Sequence, residues 1–311
     1  MISGLNRLMA FFQLIRYPNL LFIALTQVIF YFRIIRKVSD DQPLLSLTDF
    51  LLLMIASVVI AAAGYIINDY FDMDIDYVNK PDKMVIGRVI GRRWAMLLHM
   101  MFSLTGLFLT AVVSMHLGSL WLLFFNFLSV FLLLLYSTNF KKQLIIGNVI
   151  ISLLTAWVII SLFVAELKWD DMLYMKSHQL QLSILYKYTL IYAAFAFIVS
   201  LIREVVKDAE DQVGDKQHGC RTMPVLWGER STKIFLFVWL LVLIGLLLSL
   251  ATYVLITSFS WSGLFFAIAV LVQLSLIIQK LSRAHTIKDY GRLSSNLKWL
   301  MLTGILSMLS F

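Results

Sequence analysis

The stretch "LLLMIASVVIAAAGYIINDYFDMDID", residues 51–76, joins an uncharged apolar run to a cluster of four aspartates. Its first part, residues 51–67, contains no charged side chain. A helix needs about 20 apolar residues to cross the hydrocarbon core of a bilayer. Lipid offers no hydrogen-bond partners to the backbone, so a long, non-alternating apolar run favours a spanning helix. The stretch therefore predicts a transmembrane helix that ends in acidic side chains.

The rest of the chain continues this apolar character. Of its 311 residues, 60% are hydrophobic and 14% are charged, whereas soluble domains are about a quarter charged. We predict an all-α, polytopic membrane protein in which residues 1–311 form a single domain, because no low-complexity linker divides the chain. The last of nine apolar segments is short for a full span. The nine segments are residues 17–32, 49–67, 95–115, 119–136, 144–165, 182–202, 234–256, 262–279 and 299–311.

The basic residues predict the orientation of the spans. With the N-terminus in the cytoplasm, 20 of the 26 Lys and Arg residues fall in cytoplasmic segments, where such residues concentrate. Both acidic clusters then lie on the cytoplasmic side of a bacterial or archaeal inner membrane. The same bias, together with anionic membrane lipids, explains the net charge of +8. The basic residues are scattered over loops that also carry the acidic clusters, which argues against a nucleic-acid partner. The single cysteine, Cys220, excludes an intrachain disulfide.

A second acidic cluster repeats the spacing of the first. "DAEDQVGD", residues 208–215, reads D-x-x-D-x-x-x-D, as do residues 69–76. At about 100° per residue, positions i, i+3 and i+7 of a helix fall within roughly a 60° arc. Asp74 points away from the first stripe and is expected to be solvated. The two predicted stripes are Asp69, Asp72 and Asp76, and Asp208, Asp211 and Asp215.

Three like charges along one helix face repel one another and need a cation. Carboxylate oxygens suit Mg²⁺, which commonly takes one or two carboxylates together with substrate phosphates. We expect the two acidic helices to face each other and to hold Mg²⁺ with a phosphorylated substrate. Asn68 stands where its amide reaches a ligand oxygen, and Glu204 lies one turn deeper on the second acidic face. Gly147 and Asn148 are interpreted as packing features.

The motifs and their flanks resemble the UbiA superfamily of intramembrane prenyltransferases. The first motif has that family's N-D-x-x-D-x-x-x-D form. Where many relatives have R-P-L-P-S-G-R, this chain has "KMVIGR" at residues 83–88. The resemblance implies nine transmembrane helices around a central cavity, with Mg²⁺ as the cofactor. The matching flanks are "RYPN" at 16–19, "NKPDK" at 79–83, "YSTNFKKQLIIGN" at 136–148, "REVVKDAED" at 203–211 and "GCRTMPVLWG" at 219–228.

The resemblance also implies an activity, the transfer of a prenyl group from an isoprenyl diphosphate to a lipophilic acceptor within the membrane. All six stripe aspartates are expected metal ligands, and the basic residues near the motifs are expected to hold the diphosphate. The expected catalytic residues are Asp72, Asp211, Lys207 and Arg203. The expected substrate-binding residues are Asn68, Lys141, Tyr136, Arg16, Lys83 and Arg88.

Three alternatives remain open at this stage. The motif strings look most like the branch that acts on a geranylgeranylglycerol phosphate, and the surplus of basic residues at 80–93 favours such a phosphate-bearing ether lipid. The second alternative is an aromatic quinone precursor, such as dihydroxynaphthoate. The third is a transporter or cation-binding channel. A conducting path needs polar groups at mid-depth, whereas these acids cluster at one membrane boundary.

Overall fold

The structure is a computed structural model that describes residues 4–168, 172–257 and 261–310, with side chains except those of 4–7, 83, 172–174 and 253–257. Within these residues the regular elements are helices and no strand is assigned. A π-helical turn, Tyr31–Ile35, links α2 to α3. In chain order the helices are α1 Gly4–Leu14, α2 Tyr17–Phe30, α3 Arg36–Val38, α4 Leu47–Phe71, α5 Met73–Asn79, α6 Arg92–Leu117, α7 Leu120–Thr138, α8 Ile146–Ala165, α9 Met172–Ser177, α10 Gln179–Gln217, α11 Met223–Thr257, α12 Trp261–Arg283 and α13 Ile287–Ser307.

Eight helices among the described residues are long and apolar enough to cross a membrane. They coincide with the first eight predicted segments, which confirms the all-α polytopic fold and identifies an integral membrane protein. The predicted ninth segment, 299–311, lies largely in α13, which begins earlier and has a polar first half. The eight spans are Tyr17–Val38, Leu47–Phe71, Arg92–Leu117, Leu120–Thr138, Ile146–Ala165, Gln179–Gln217, Met223–Thr252 and Trp261–Arg283.

Local signals in the sequence set where several helices begin and end. The Ser46 hydroxyl accepts a hydrogen bond from the backbone N–H of Asp49 and caps the start of α4. Thr286 and Asp289 form a reciprocal capping box at the start of α13. Gly118 ends α6 in the left-handed conformation, with φ 65°, where a glycine carries no Cβ penalty. These caps satisfy backbone groups that a helix end otherwise leaves unpaired.

The helices divide into two compact units, and each is described by itself. The first unit comprises residues 1–141 and 157–190. Within it, α4 packs against α2, α6 and α7. Gly106 of α6 allows the closest approach to α4, because a Cβ there would lie 2.5 Å from Cγ1 of Ile60 and 3.2 Å from the carbonyl oxygen of Ala56. Small residues permit this kind of close packing between transmembrane helices.

A buried amide also holds the first unit together. The Asn126 side chain is 3% exposed, and its Nδ2 donates to Oγ1 of Thr110 at 2.9 Å. Its Oδ1 accepts from Nε1 of Trp157 at 2.7 Å. Asn126 thus has both a donor and an acceptor contact, as buried polar groups require. The three residues join α6, α7 and the later part of α8.

The second unit comprises residues 142–156 and 191–311. Its core is formed by α10, α11, α12 and α13, with fully buried leucines at Leu240, Leu274 and Leu297. Val205 and Val206, just before the second aspartate motif, belong to this core and are at most 2% exposed. Burial of these side chains fixes the segment of α10 that carries the motif.

Candidate functional site

The first aspartate motif follows a helix that is interrupted once. Helix α4 ends at Phe71 and α5 begins at Met73, with Asp72 between them at φ −90° and ψ 0°. Helical hydrogen bonds still cross the break, from the Asp72 N–H to the Asn68 carbonyl and from the Asp76 N–H to the Asp72 carbonyl. The predicted stripe therefore continues, with a bend at its central residue. Asp74 is exposed, as predicted.

Arg16 reaches Asp69 from the junction of α1 and α2. Its Nη2 donates to Oδ1 of Asp69 at 2.7 Å, and its guanidinium lies 5.0 Å from the ring centroid of Tyr65. Burial acts to lower the pKa of Arg16, but the charge of Asp69 and its neighbours outweighs burial, and the pKa is raised. Arg16 also has φ 51°, an uncommon backbone conformation for a residue with a Cβ. Arg16 thus combines a strained backbone conformation with an ion pair to Asp69, the first aspartate of the motif.

Two substitutions at Arg16 separate this strain from the ion pair. Both Arg16→Ala and Arg16→Gly remove the contact with Asp69, but only glycine adopts φ 51° without a steric penalty. We expect the glycine variant to be more stable than the alanine variant by about 1 kcal/mol. Thermal unfolding of both variants in the same detergent checks this. Equal stability of the alanine and glycine variants would show that the backbone at Arg16 is not strained.

Asp72 is the most enclosed carboxylate of the first motif, with a side chain 3% exposed. Its Oδ2 accepts from Nδ2 of Asn68 at 2.7 Å and also contacts Nζ of Lys141. Burial acts to lower the pKa of Lys141, but the charge and hydrogen bond of Asp72, together with Tyr136 and Asp76, outweigh burial, and the pKa is raised. Lys141 therefore stays protonated and forms an ion pair with Asp72, and Tyr136 lies nearby. The structure brings four predicted site residues together here.

Asp76, on α5 outside the eight spans, responds to pH in a predictable direction. Its pKa is raised from 3.8 to about 6, first by burial and then by the charge of Asp72, while Lys141 opposes the rise. A metal ligand must be deprotonated, so protons compete with the cation. We expect the Mg²⁺ concentration needed for half-maximal diphosphate binding to increase as the pH is lowered from about 7 to about 5. Calorimetric titrations at several pH values measure this concentration. If its pH dependence is the same in Asp76→Asn, the role of Asp76 as a metal ligand is contradicted.

The second aspartate motif lies within one uninterrupted helix, α10, as predicted. Oδ2 of Asp208 accepts from Nδ2 of Asn148 at 2.7 Å. Asp215 is 5% exposed, and its Oδ2 accepts from Oγ1 of Thr222 at 3.3 Å. Asp211 lies between them along the helix and is half-buried. Each outer carboxylate of this stripe is thus held by a neutral side chain.

Arg203 and Lys207 both contact Glu204, the acid one turn before the motif. Nη1 of Arg203 lies 3.1 Å from Oε1 of Glu204, and Nζ of Lys207 lies 3.3 and 3.2 Å from its two oxygens. Glu204 is 8% exposed. Two cations on one buried carboxylate leave this turn of α10 with a net positive charge, next to the acidic stripe. Their predicted catalytic role stays a prediction.

Two predicted site residues stand apart from these contacts. Arg88 has an exposed side chain in the turn after α5, and among the described residues that side chain makes no ion pair or hydrogen bond. The backbone of Lys83 ends the short 3₁₀ helix Pro81–Lys83, and its side chain lies outside the described part of the chain. Their assignment to substrate binding stays a prediction.

Sequence reasoning missed three contacts of the site. The sequence pattern predicts only a packing role for Asn148 and indicates no role for Tyr65 or Thr222. One signal was available for Asn148, because an amide within an apolar span needs a polar partner. Which of the aspartates it contacts depends on how helices pack, which helical periodicity does not report.

The donor set fits Mg²⁺ by its chemistry. Carboxylate and amide oxygens are the hard ligands that Mg²⁺ prefers. Oδ1 of Asn68 is buried and has no hydrogen-bond partner among the described residues, so the motif holds an amide oxygen ready to accept. The described residues contain no cluster of three His, Cys, Asp or Glu side chains already arranged around a metal. Instead, two carboxylates of the first stripe form ion pairs with basic side chains, Asp69 with Arg16 and Asp72 with Lys141.

Comparison with known sequences identifies relatives. Residues 38–301 match the UbiA prenyltransferase family. The digeranylgeranylglyceryl phosphate synthase of Methanoregula boonei is 32% identical over 190 residues, which are 60% of this chain and 60% of that protein. Seven further curated relatives, 29 to 32% identical, carry the same name. The chain spans about three fifths of the length of the first of these relatives.

Solved structures share the fold along almost the whole chain. One, from work on digeranylgeranylglyceryl phosphate synthase in membranes, has a TM-score of 0.66 at 23% identity and covers 97% of both chains. Another, a UbiA homolog from Archaeoglobus fulgidus bound to GPP and Mg²⁺, has a TM-score of 0.60 at 15% identity. It covers 96% of this chain and 99% of that chain. The resemblance seen in the motifs is confirmed: this chain belongs to the UbiA prenyltransferase family.

Proposed function

We propose that the chain transfers a prenyl group from an isoprenyl diphosphate to a lipophilic acceptor in the membrane. The single observation that carries the proposal is that each of the two aspartate motifs holds carboxylates in side-chain donors, which are cations and an amide in the first motif and an amide on Asp208 in the second. Family membership supports the same activity. A tail-bearing diphosphate needs an apolar medium for its tail and opposite charges for its head, and the boundary of these spans supplies both.

The reaction breaks one bond and forms one. The C1–O bond of the prenyl diphosphate breaks, and its electron pair leaves with the diphosphate oxygen. The allylic carbon then bonds to a hydroxyl oxygen of the acceptor, and the hydroxyl proton is released. The aspartates of the two motifs and the Asn68 amide oxygen would hold Mg²⁺, and the ion would supply positive charge that stabilises the departing diphosphate. An apolar surrounding keeps out water, which would otherwise take the acceptor's place.

We propose that four cations of the chain bind the diphosphate oxygens. Arg16 and Lys141 already lie on the first stripe, and Arg203 and Lys207 flank the second. We propose that they orient the diphosphate while the aspartates hold the cation, and that both motifs serve one reaction. Charge-assisted hydrogen bonds of this kind are stronger than neutral ones.

We propose a phosphate-bearing ether lipid as the acceptor. The curated relatives are named for a product in which two geranylgeranyl groups are attached to glyceryl phosphate. A second anion in the acceptor needs further cations, and exposed basic residues of the 80–93 segment, among them Arg88, Arg92 and Arg93, offer them. We propose that the site lies on the cytoplasmic side of a bacterial or archaeal inner membrane, because Lys and Arg concentrate in cytoplasmic segments.

A competition experiment tests the acceptor. Purified protein receives geranylgeranyl diphosphate and Mg²⁺ with equal amounts of a singly prenylated glycerol-phosphate lipid and dihydroxynaphthoate. We expect the doubly prenylated lipid as the product when products are identified by mass. Prenylated naphthoate without a lipid product would overturn the ether-lipid acceptor while leaving prenyl transfer in place.

A further inference from the structure

Asn148 lies at the start of α8, in the same unit as the second aspartate motif. Its side chain is 7% exposed, and its Nδ2 donates to Oδ2 of Asp208 at 2.7 Å. This is the hydrogen bond that the Asp208 side chain makes among the described residues. A buried amide that donates to one carboxylate oxygen fixes which oxygen is engaged and which is left for another ligand.

The first motif also has an amide that donates to one of its carboxylates, but to the second aspartate of the motif and not to the first. There, Nδ2 of Asn68 donates to Oδ2 of Asp72, four residues later, also at 2.7 Å. The position that corresponds to Asn68 in the second motif is Lys207, whose ammonium group contacts Glu204. The second motif therefore has no amide of its own at this position. Asn148, 60 residues before Asp208, supplies an amide donor to the first aspartate of this motif.

The backbone before Asn148 is strained. Ile145 has φ 62°, which for a β-branched residue is a marked outlier. Such conformations persist where the surrounding structure holds them, and they concentrate at functional sites. The Val149 N–H donates to the Ile145 carbonyl at 2.9 Å, and the Ser152 hydroxyl donates to the Asn148 carbonyl at 2.6 Å. Backbone and side-chain bonds thus fix Asn148 on the first turn of α8.

We propose that Asn148 is a positioning residue for the second motif, holding Oδ2 of Asp208 so that Oδ1 is presented to the Mg²⁺–diphosphate. This inference rests on the proposed function. Replacing a residue that hydrogen-bonds to a metal ligand typically lowers metal affinity or activity by about 10–100-fold. Asn148 acts through Asp208 and needs no contact with the substrate.

The test compares Asn148→Ala and Asn148→Asp with the matched control Asn126→Ala, which removes an equally buried amide far along the chain from either motif. Binding of inorganic diphosphate is measured by titration calorimetry at several Mg²⁺ concentrations, alongside thermal unfolding. We expect Asn148→Ala to raise the Mg²⁺ concentration for half-maximal binding about 10–100-fold. Asn148→Asp keeps the shape but replaces the donor with a negative acceptor, so its loss should be at least as large. Asn126→Ala should lose stability only.

A further pair of variants separates the inference from the function on which it rests. Asp208→Asn and the double variant Asp208→Asn with Asn148→Ala should bind Mg²⁺–diphosphate equally weakly, because interacting residues are not additive. Independent losses in the double variant, or unchanged Mg²⁺ dependence in Asn148→Ala, would overturn the positioning role. If the unaltered protein binds no Mg²⁺–diphosphate, the proposed function itself fails.

Discussion

Replacing Asp72 or Asp211 with alanine should lower the turnover of prenyl transfer by about three orders of magnitude, roughly 4 kcal/mol of transition-state stabilisation. Asp72 is the most enclosed carboxylate of the first motif and is held by Asn68 and Lys141. Asp211 is the central residue of the second stripe, on the uninterrupted helix α10. Steady-state assays with a labelled prenyl diphosphate measure the loss.

Asp74→Ala is the matched control for these two variants. Asp74 belongs to the same acidic cluster, but its side chain is exposed and lies off the stripe. Its turnover should stay close to that of the unaltered protein. Near-normal turnover in either Asp72→Ala or Asp211→Ala, with intact expression and folding, would contradict the assignment of both motifs to one reaction.

Removing the cation at Lys141 should produce the second largest effect. Its ammonium group contacts Asp72, and its side chain is 28% exposed. A hydrogen bond to a charged group contributes about 1.5–3 kcal/mol, so Lys141→Ala should raise the KM for the prenyl diphosphate by about 10–100-fold. Lys141→Arg keeps the charge and should lose less. Initial-rate measurements over a range of diphosphate concentrations give both constants.

Arg283→Ala is the control for loss of a cytoplasmic charge. Arg283 is exposed at the end of α12 and belongs to neither motif. Lys207→Ala should raise the KM more than Arg283→Ala does, because Lys207 lies one residue before Asp208. Equal KM values for the Lys141, Lys207 and Arg283 variants would mean that these lysines serve membrane topology alone.

Much of the fold could be predicted because membrane spans obey a strong rule. Apolar length and uncharged composition alone locate α4 and seven further spans. Helix α13, which contains most of the predicted ninth segment, was located less well. Its first half carries Lys288, Asp289 and Arg292, so hydropathy reported only its end, while the capping box at Thr286 gives its start. Capping chemistry and hydropathy are independent signals, and both are needed for a half-polar helix.

The site was predictable where one helix carries it and less so where helices meet. Helical spacing places Asp208, Asp211 and Asp215 on one face, and α10 runs through all three. Spacing cannot report that Arg16 pairs with Asp69 across 53 residues, or that Asn148 contacts Asp208. These contacts depend on how the helices pack, which local periodicity does not encode. The bend at Asp72 is likewise absent from the pattern.

Product formation tests the central claim most directly. Purified protein in liposomes receives Mg²⁺, a labelled prenyl diphosphate and the singly prenylated glycerol-phosphate lipid. Inorganic diphosphate and prenylated lipid are measured together, with cation flux across the same liposomes as a second readout. We predict one diphosphate released for each prenylated lipid, loss of both when the metal is chelated, and no flux. Cation flux without prenylated product would contradict prenyl transfer and favour a transporter.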